Sequence, residues 1–214
     1  MDNSVLESIK RWPNVPAVFG WLSLTARGQW RLHPDGKATE GSAGESISNP
    51  QILAFINRNY ASDERGRWYF QNGPQRVYVR LDAAPWILFA DDAQGQFNTH
   101  TGSVVANVDC VWLDEQGHIY LQTELGPGMI VDRDLPRFLA GAKIEVAQLA
   151  ETAQTAQTAL TLEDWWAQGD ATTSLLTGLD QHWPACANPL PVHRLAVATP
   201  IDTQLKFVAN PQPA

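Results

Sequence analysis

The stretch Arg67 to Leu81, RWYFQNGPQRVYVRL, gathers side chains suited to holding a ligand. Read as a strand, its period-2 alternation sends Arg76, Tyr78 and Arg80 to one face and Val77, Val79 and Leu81 to the other. Guanidinium forks match carboxylates and phosphates with paired donors, and a tyrosine hydroxyl adds a further one. Arg76, Tyr78 and Arg80, with Asn72 at the adjoining turn, are therefore the candidate binding residues for a small anion. The same arginines also suit pairing with acids of this chain or stacking on its tryptophans. Between Asn57 and Leu81, Arg58, Arg65, Arg67, Arg76 and Arg80 face only Asp63 and Glu64, a positive region in a chain of formal net charge −8.

Other candidate groups are thinner. His182, Cys186 and His193 offer imidazole and thiolate ligands, but their spacing follows no closed zinc pattern and a fourth donor is missing, so no metal is expected. Asp180 near His182 resembles an oriented base without a nucleophile. Glu124 and Asp132 flank Gly126-Pro127-Gly128, which reads as a turn; such carboxylates serve either as an acid and base or as solvated strand ends. The chain contains neither G-x-S-x-G, nor G-x-G-x-x-G, nor a Walker-type loop, and no cofactor is expected. Trp68, Tyr69 and Phe70 beside arginines could stack bases, yet the net acidity removes the phosphate attraction on which nucleic-acid binders rely.

The elements that must position these groups follow from composition and punctuation. A length of 214 residues fits one large domain or two small ones. With 44% hydrophobic and 18% charged residues the composition is globular, and no apolar run approaches the ~18 residues of a membrane span. The opening MDNSVLESIKRW lacks a secretory apolar region, so a cytoplasmic location is expected. Cys110 and Cys186 form no disulfide framework. Nine tryptophans, spread from Trp12 to Trp183, are expected mostly as core pillars.

Gly28, Gly66, Gly95 and Gly117 each precede an apolar strand start, at unequal intervals that exclude a fixed-period repeat. Phe19–Thr25 and Gln29–His33 make a first hairpin, followed by a loop from Pro34 to Ser46. Asn49 caps and Pro50 opens a helix through Ile52, Leu53, Phe55 and Ile56 to Tyr60. Arg67–Gln71 and Arg76–Leu81 form a second hairpin across Asn72-Gly73-Pro74. Trp86–Ala90, Phe97–Thr101, Val104–Leu113, Ile119–Glu124 and Met129–Val131 continue as strands. Asp134 caps a short helix from Leu135 to Leu139. The low-complexity run AQLAETAQTAQTA, 147–159, reads as a solvent-facing helix or a linker. Thr161 to Asp164 begins a helix carrying Trp165 and Trp166 and ended by Gly169, and late strands follow at Val192–Ala198 and Leu205–Val208. The tail from Asn210 frays.

From Ser48 to Leu88 the chain resembles a family of proteobacterial proteins of unknown function. More distantly it resembles another two-domain bacterial family of unknown function, for which a ligand-sensing or signalling role has been suggested. The resemblance rests on a tryptophan-bearing hairpin at Gly28–Leu32, the apolar helix core Ile52–Asn57, the aromatic hairpin Trp68–Val79 and the strand start Ala84-Pro85-Trp86. It implies two small β-rich units with a cleft between them, and carries over no catalytic residue.

The resulting expectation is an α+β, strand-rich protein of two small lobes of antiparallel hairpins, residues 1–90 and 91–214, with one principal helix near Pro50–Tyr60. Its expected role is a cytoplasmic, non-enzymatic binding or regulatory module, in which a small anionic ligand or a protein partner meets the Arg76, Tyr78 and Arg80 face. The alternatives are an enzyme acting on a small polar substrate in an interlobe cleft through Glu124, Asp132 or His182, and a structural protein that oligomerises through exposed tryptophans.

Overall fold

The computed structural model describes residues 1–91, 93–140, 142–147, 157–160, 162–167, 174–177, 179, 183, 186 and 189–213. Met1–Ile87, His100–Gly102 and Pro200–Ala214 form one compact unit; Leu88–Thr99 and Ser103–Thr199 form the other. The chain is a strand-rich α+β protein built on two sheets.

The first unit starts with helix α1 (Asn3–Arg11), where the sequence had signalled no element. Val5 is its buried side chain, and Asp2 just before it holds Arg58 at 3.1 Å. Next come β1 (Val18–Leu24), β2 (Trp30–Leu32) and the short β3 (Glu45–Ser46). Helix α2 (Pro50–Arg58) opens as expected, since the Asn49 side chain accepts from the amides of Gln51 and Ile52. It stops before Tyr60, because that residue starts β4 (Tyr60–Ser62), paired with β5 (Trp68–Asn72). β6 (Gln75–Leu81) completes a sheet of order β3-β2-β1-β6-β5-β4.

Strands β1 and β6 pair in parallel, with Val18 opposite Val77 and Leu22 opposite Val79, across an irregularity that contains Gly20. Gly20 has φ +82°, and a Cβ there would stand 2.1 Å from the Gly36 carbonyl oxygen, so only glycine fits. On one face of this sheet Phe70 meets Phe55 of α2 edge-on at 5.5 Å. Trp30, Tyr60, Trp68, Trp86 and His100 form an aromatic core with neighbouring ring centroids 5.0–5.6 Å apart. Two of its polar ends are anchored: Trp30 Nε1 donates to Asn57 Oδ1 and the Tyr60 hydroxyl to the Pro85 carbonyl.

The second sheet contains β7 (Trp86–Asp91), β8 (Gln96–Thr99), β9 (Val108–Leu113), β10 (Ile119–Thr123) and β11 (Gly126–Ile130). After helix α3 (Leu135–Phe138) it adds β12 (Lys143–Ala147) and β13 (Gln157–Leu160); after α4 (Leu162–Ala167), β14 (Ser174–Thr177) and β15 (Leu190–Arg194). Among the described residues its order is β13-β12-β14-β15-β9-β10-β11-β7-β8, with β15 parallel to β9. Phe97 stacks on Trp183 at 4.3 Å in the core of this unit.

Several expectations are corrected here. Gly126-Pro127-Gly128 lies inside β11, and the turn is at Glu124-Leu125. Val104 makes only an isolated bridge, with Asn98, so the strand that follows starts at Val108. Asp134 stands at the N-cap position of α3 but makes no side-chain capping bond there; its carboxylate accepts from the Ala90 amide at 2.9 Å. Within the low-complexity run, Ala147 and Gln157–Ala159 pair as strand, while 148–156 lie outside the described residues, as does Gly169. Leu205–Val208 is not a strand: α5 (Ile201–Gln204) ends at Leu205, Lys206 takes φ 60°, and Val208 makes a single bridge with Arg67. Asn210, expected to fray, donates to the Thr39 carbonyl. Trp30, Trp68, Trp86, Trp165 and Trp183 are buried, but Trp12 and Trp21 are exposed. No helix among the described residues is long and apolar enough to cross a membrane.

Candidate functional site

Two openings lie on the first unit. The first is an arginine-lined pocket of about 690 Å³ beside the β5–β6 hairpin, bounded by Ser62, Asp63, Glu64, Arg65, Arg67, Tyr69, Arg76 and Tyr78. Its organising residue is Asp63, at the turn between β4 and β5. Asp63 Oδ1 accepts from the amides of Arg65 and Arg67, each at 3.0 Å. Asp63 Oδ2 accepts from Arg67 Nε at 2.8 Å and from the Tyr78 hydroxyl at 2.9 Å. Burial pushes the Asp63 carboxyl up, but these donors outweigh it and hold the group below its usual range.

The Tyr78 hydroxyl also accepts from Arg67 Nη2, and its ring stacks on Phe19 at 4.7 Å. Burial and the bond to Asp63 raise the Tyr78 hydroxyl above its usual range. Tyr78 thus fixes the floor of the pocket. Arg76 lies 4.7 Å from the centroid of Tyr69. Among the described residues, neither Arg65 nor Arg76 carries an ion pair.

Of the four residues singled out from the sequence, this pocket unites Arg76 and Tyr78. Arg80 sits elsewhere: it pairs with Asp82 at 2.9 Å and donates to the carbonyls of Ala38 and Ser42, clamping the loop after β2. Asn72 lines the second opening. Asp63 itself was missed, although an aspartate three residues before Gly66 is a turn-forming signal that could have exposed it.

The second opening is a groove of about 700 Å³ between α2 and the sheet. Val18, Trp21, Leu22, Leu32, Phe70 and Val77 of the sheet, Ile47, and Ile52 and Ile56 of α2 give it an apolar lining. Its polar residues are Ser46, Ser48, Asn49, Asn72 and Gln75, and Glu45 is its charged residue. Trp21 and Ile52 were not singled out by sequence, because an apolar residue that stays exposed reads the same as a core residue.

Beneath the Arg80 clamp, His33 Nε2 bonds to Ser23 Oγ at 2.8 Å and Nδ1 to Ser42 Oγ at 2.6 Å. Ser23 and His33 are fully buried, which makes this a sealed structural link. Burial, then Arg80, lowers the His33 imidazole below its usual range. In the second unit both Glu124 oxygens accept backbone amides, those of Ala106 and Asn107. Asp132 lies in a 3-10 turn, Asp132–Asp134. Cys186 is buried and its thiol is pushed up to about 12, while the His193 ring lies 4.6 Å from that of Trp112. Asp180 and His182 lie outside the described residues. Among the described residues no three His, Cys, Asp or Glu side chains are grouped to hold a metal.

Fold and openings together define a two-unit, strand-rich α+β protein with ligand-sized cavities on its first unit. The chain belongs to the family DUF2944, whose model, described as "Protein of unknown function (DUF2946)", matches residues 1–211. The crystal structure of a DUF1285 family protein from Silicibacter pomeroyi DSS-3 is similar at 16% identity and a TM-score of 0.46, covering 74% of this chain and 89% of that one. A search of curated proteins finds no match.

Proposed function

We propose that the protein is a non-catalytic binding module whose first unit takes a small molecule with an apolar body and a neutral or cationic polar group. The observation that carries this reading is the groove of about 700 Å³ held open between α2 and the sheet. Trp21, Leu32 and Ile52 on its walls are 43%, 42% and 50% exposed. Apolar area left in water costs about 25 cal/mol per Å², so a ligand that covers these side chains gains what folding left unused. The volume lies in the range of ligand pockets, roughly 300–1,000 Å³. Glu45 on the lining disfavours an anionic group there.

The non-catalytic part is supported by how the reactive groups are spent. Glu124 is occupied by backbone amides, and the Ser23–His33 pair has no exposed surface.

The test is titration with N-phenyl-1-naphthylamine, a neutral apolar dye whose emission rises on leaving water. Saturable enhancement is expected, with at least a tenfold loss of affinity in Ile52→Asp. Because Ile52 is half exposed, that variant should keep its stability within about 0.5 kcal/mol. Absence of enhancement, or equal binding by Ile52→Asp, refutes the proposal.

A further inference from the structure

We infer that the arginine pocket is a second, independent site, and that it binds the phosphate group of a small phosphomonoester. The argument starts from which cations remain available. Arg67 is consumed by Asp63 and lies 4.5 Å from the Tyr78 ring centroid, so it belongs to the scaffold. Arg65 and Arg76 carry no ion pair among the described residues, although Arg76 lies over the Tyr69 ring and hydrogen-bonds to Tyr78, and they arrive from different elements, the β4–β5 turn and β6. Two guanidinium groups from separate elements, with Ser62 on the same lining, suit a tetrahedral anion better than a planar carboxylate, which a single fork satisfies.

The support is stiff. Arg76 rests on Tyr69, Tyr69 meets Tyr78 edge-on at 5.8 Å, and Tyr78 is stacked on Phe19 and bonded to Asp63. Donors held this way lose little freedom when they bind. The lining is net positive within a chain of net charge −8, which draws anions to this place on an acidic surface. The pocket of about 690 Å³ is far larger than a bare phosphate, which leaves room for an organic body. Glu64 also lines it; one opposing carboxylate lowers affinity for the anion without cancelling the two arginines.

The experiment is isothermal titration at low salt with phenyl phosphate and, separately, inorganic phosphate. Phenyl phosphate is expected to bind more tightly. Arg76→Ala and Arg65→Ala should each weaken it at least tenfold, and Arg76→Lys, which keeps the charge but loses the planar fork, should weaken it clearly. Lys10→Ala removes one charge from the exposed end of α1 and should change nothing. Circular dichroism confirms that each variant is folded. The inference is overturned if neither phosphate binds at millimolar concentration, if the arginine variants bind like wild type, or if Lys10→Ala weakens binding as much. Equal affinity for the two phosphates overturns the ester and leaves free phosphate as the ligand. The dye titration of the groove reports on a different opening, so either site can fail without the other.

Discussion

Replacing Asp63 tests whether one carboxylate organises the arginine pocket. Asp63→Ala removes the acceptor for two backbone amides, the Arg67 guanidinium and the Tyr78 hydroxyl. The Asp63 and Arg67 side chains are 11% and 21% exposed. Breaking a fully buried pair costs about 3–5 kcal/mol, and the residual solvent access brings the expectation here to about 2–3 kcal/mol. Asp63→Asn keeps an oxygen for the amides and loses the charge, so about 1 kcal/mol is expected. Urea unfolding followed by tryptophan fluorescence measures both. The pH dependence adds a second check. The folded carboxyl titrates below its ordinary value of 3.8, so in acid the unfolded chain binds the proton first. The stabilisation is complete above that ordinary value and is lost as pH falls through the lower, folded one. The gap between wild type and Asp63→Asn should therefore close below about pH 4. A loss under about 0.5 kcal/mol in Asp63→Ala, or a gap unchanged in acid, refutes the reasoning.

His100 packs against the rings of Trp30, Tyr60 and Trp86, and burial lowers its imidazole to about 3. Below its ordinary value of 6.5 only the unfolded chain takes up this proton, so stability should fall by about 1.4 kcal/mol per pH unit between roughly pH 6 and 4. His100→Phe should flatten that slope in a series of melting curves, and an unchanged slope removes His100 as its source. A Cβ on Gly128 would stand 2.8 Å from Leu88 Cγ, and Leu88 is fully buried. Gly128→Ala is thus expected to cost about 1–3 kcal/mol by overpacking, and to cost almost nothing further in a Leu88→Ala background. Simple additivity of the two changes would show that the strands relax instead.

What the sequence disclosed was local. Asn49 and Pro50 announced α2 because capping is chemistry within one turn, and Gly73-Pro74 with alternating residues announced the β5–β6 hairpin. Its limits are equally physical. The parallel pairing of β1 with β6 joins strands more than fifty residues apart, and nothing in either strand names its partner. Proline read as a breaker in Gly126-Pro127-Gly128, yet Pro127 stands inside β11 opposite Gln122 of β10, and Gly128 lets the Leu88 side chain close in. Arg76 and Arg80 look alike four residues apart on one face. Asp82 and the Ala38 and Ser42 carbonyls claim Arg80, whereas Arg76 rests on an aromatic ring. That difference was decided by groups brought in by folding.

The first unit is interrupted in the chain. Its last segment, Pro200–Ala214, returns after more than ninety residues of the second unit. Val208 N donates to the Gly66 carbonyl, Leu81 N donates to the Ala209 carbonyl, and the backbone of Lys206 and Phe207 packs where Gly66 has no side chain. Gly66 lies between Arg65 and Arg67, so the turn that carries the arginine pocket is finished by residues that follow the whole second unit in the chain. A nascent chain can assemble β1 to β6 early, but that turn waits for its closing segment through the synthesis of the entire second unit. A chain stalled before residue 200 would have the arginines without the backing that holds their turn.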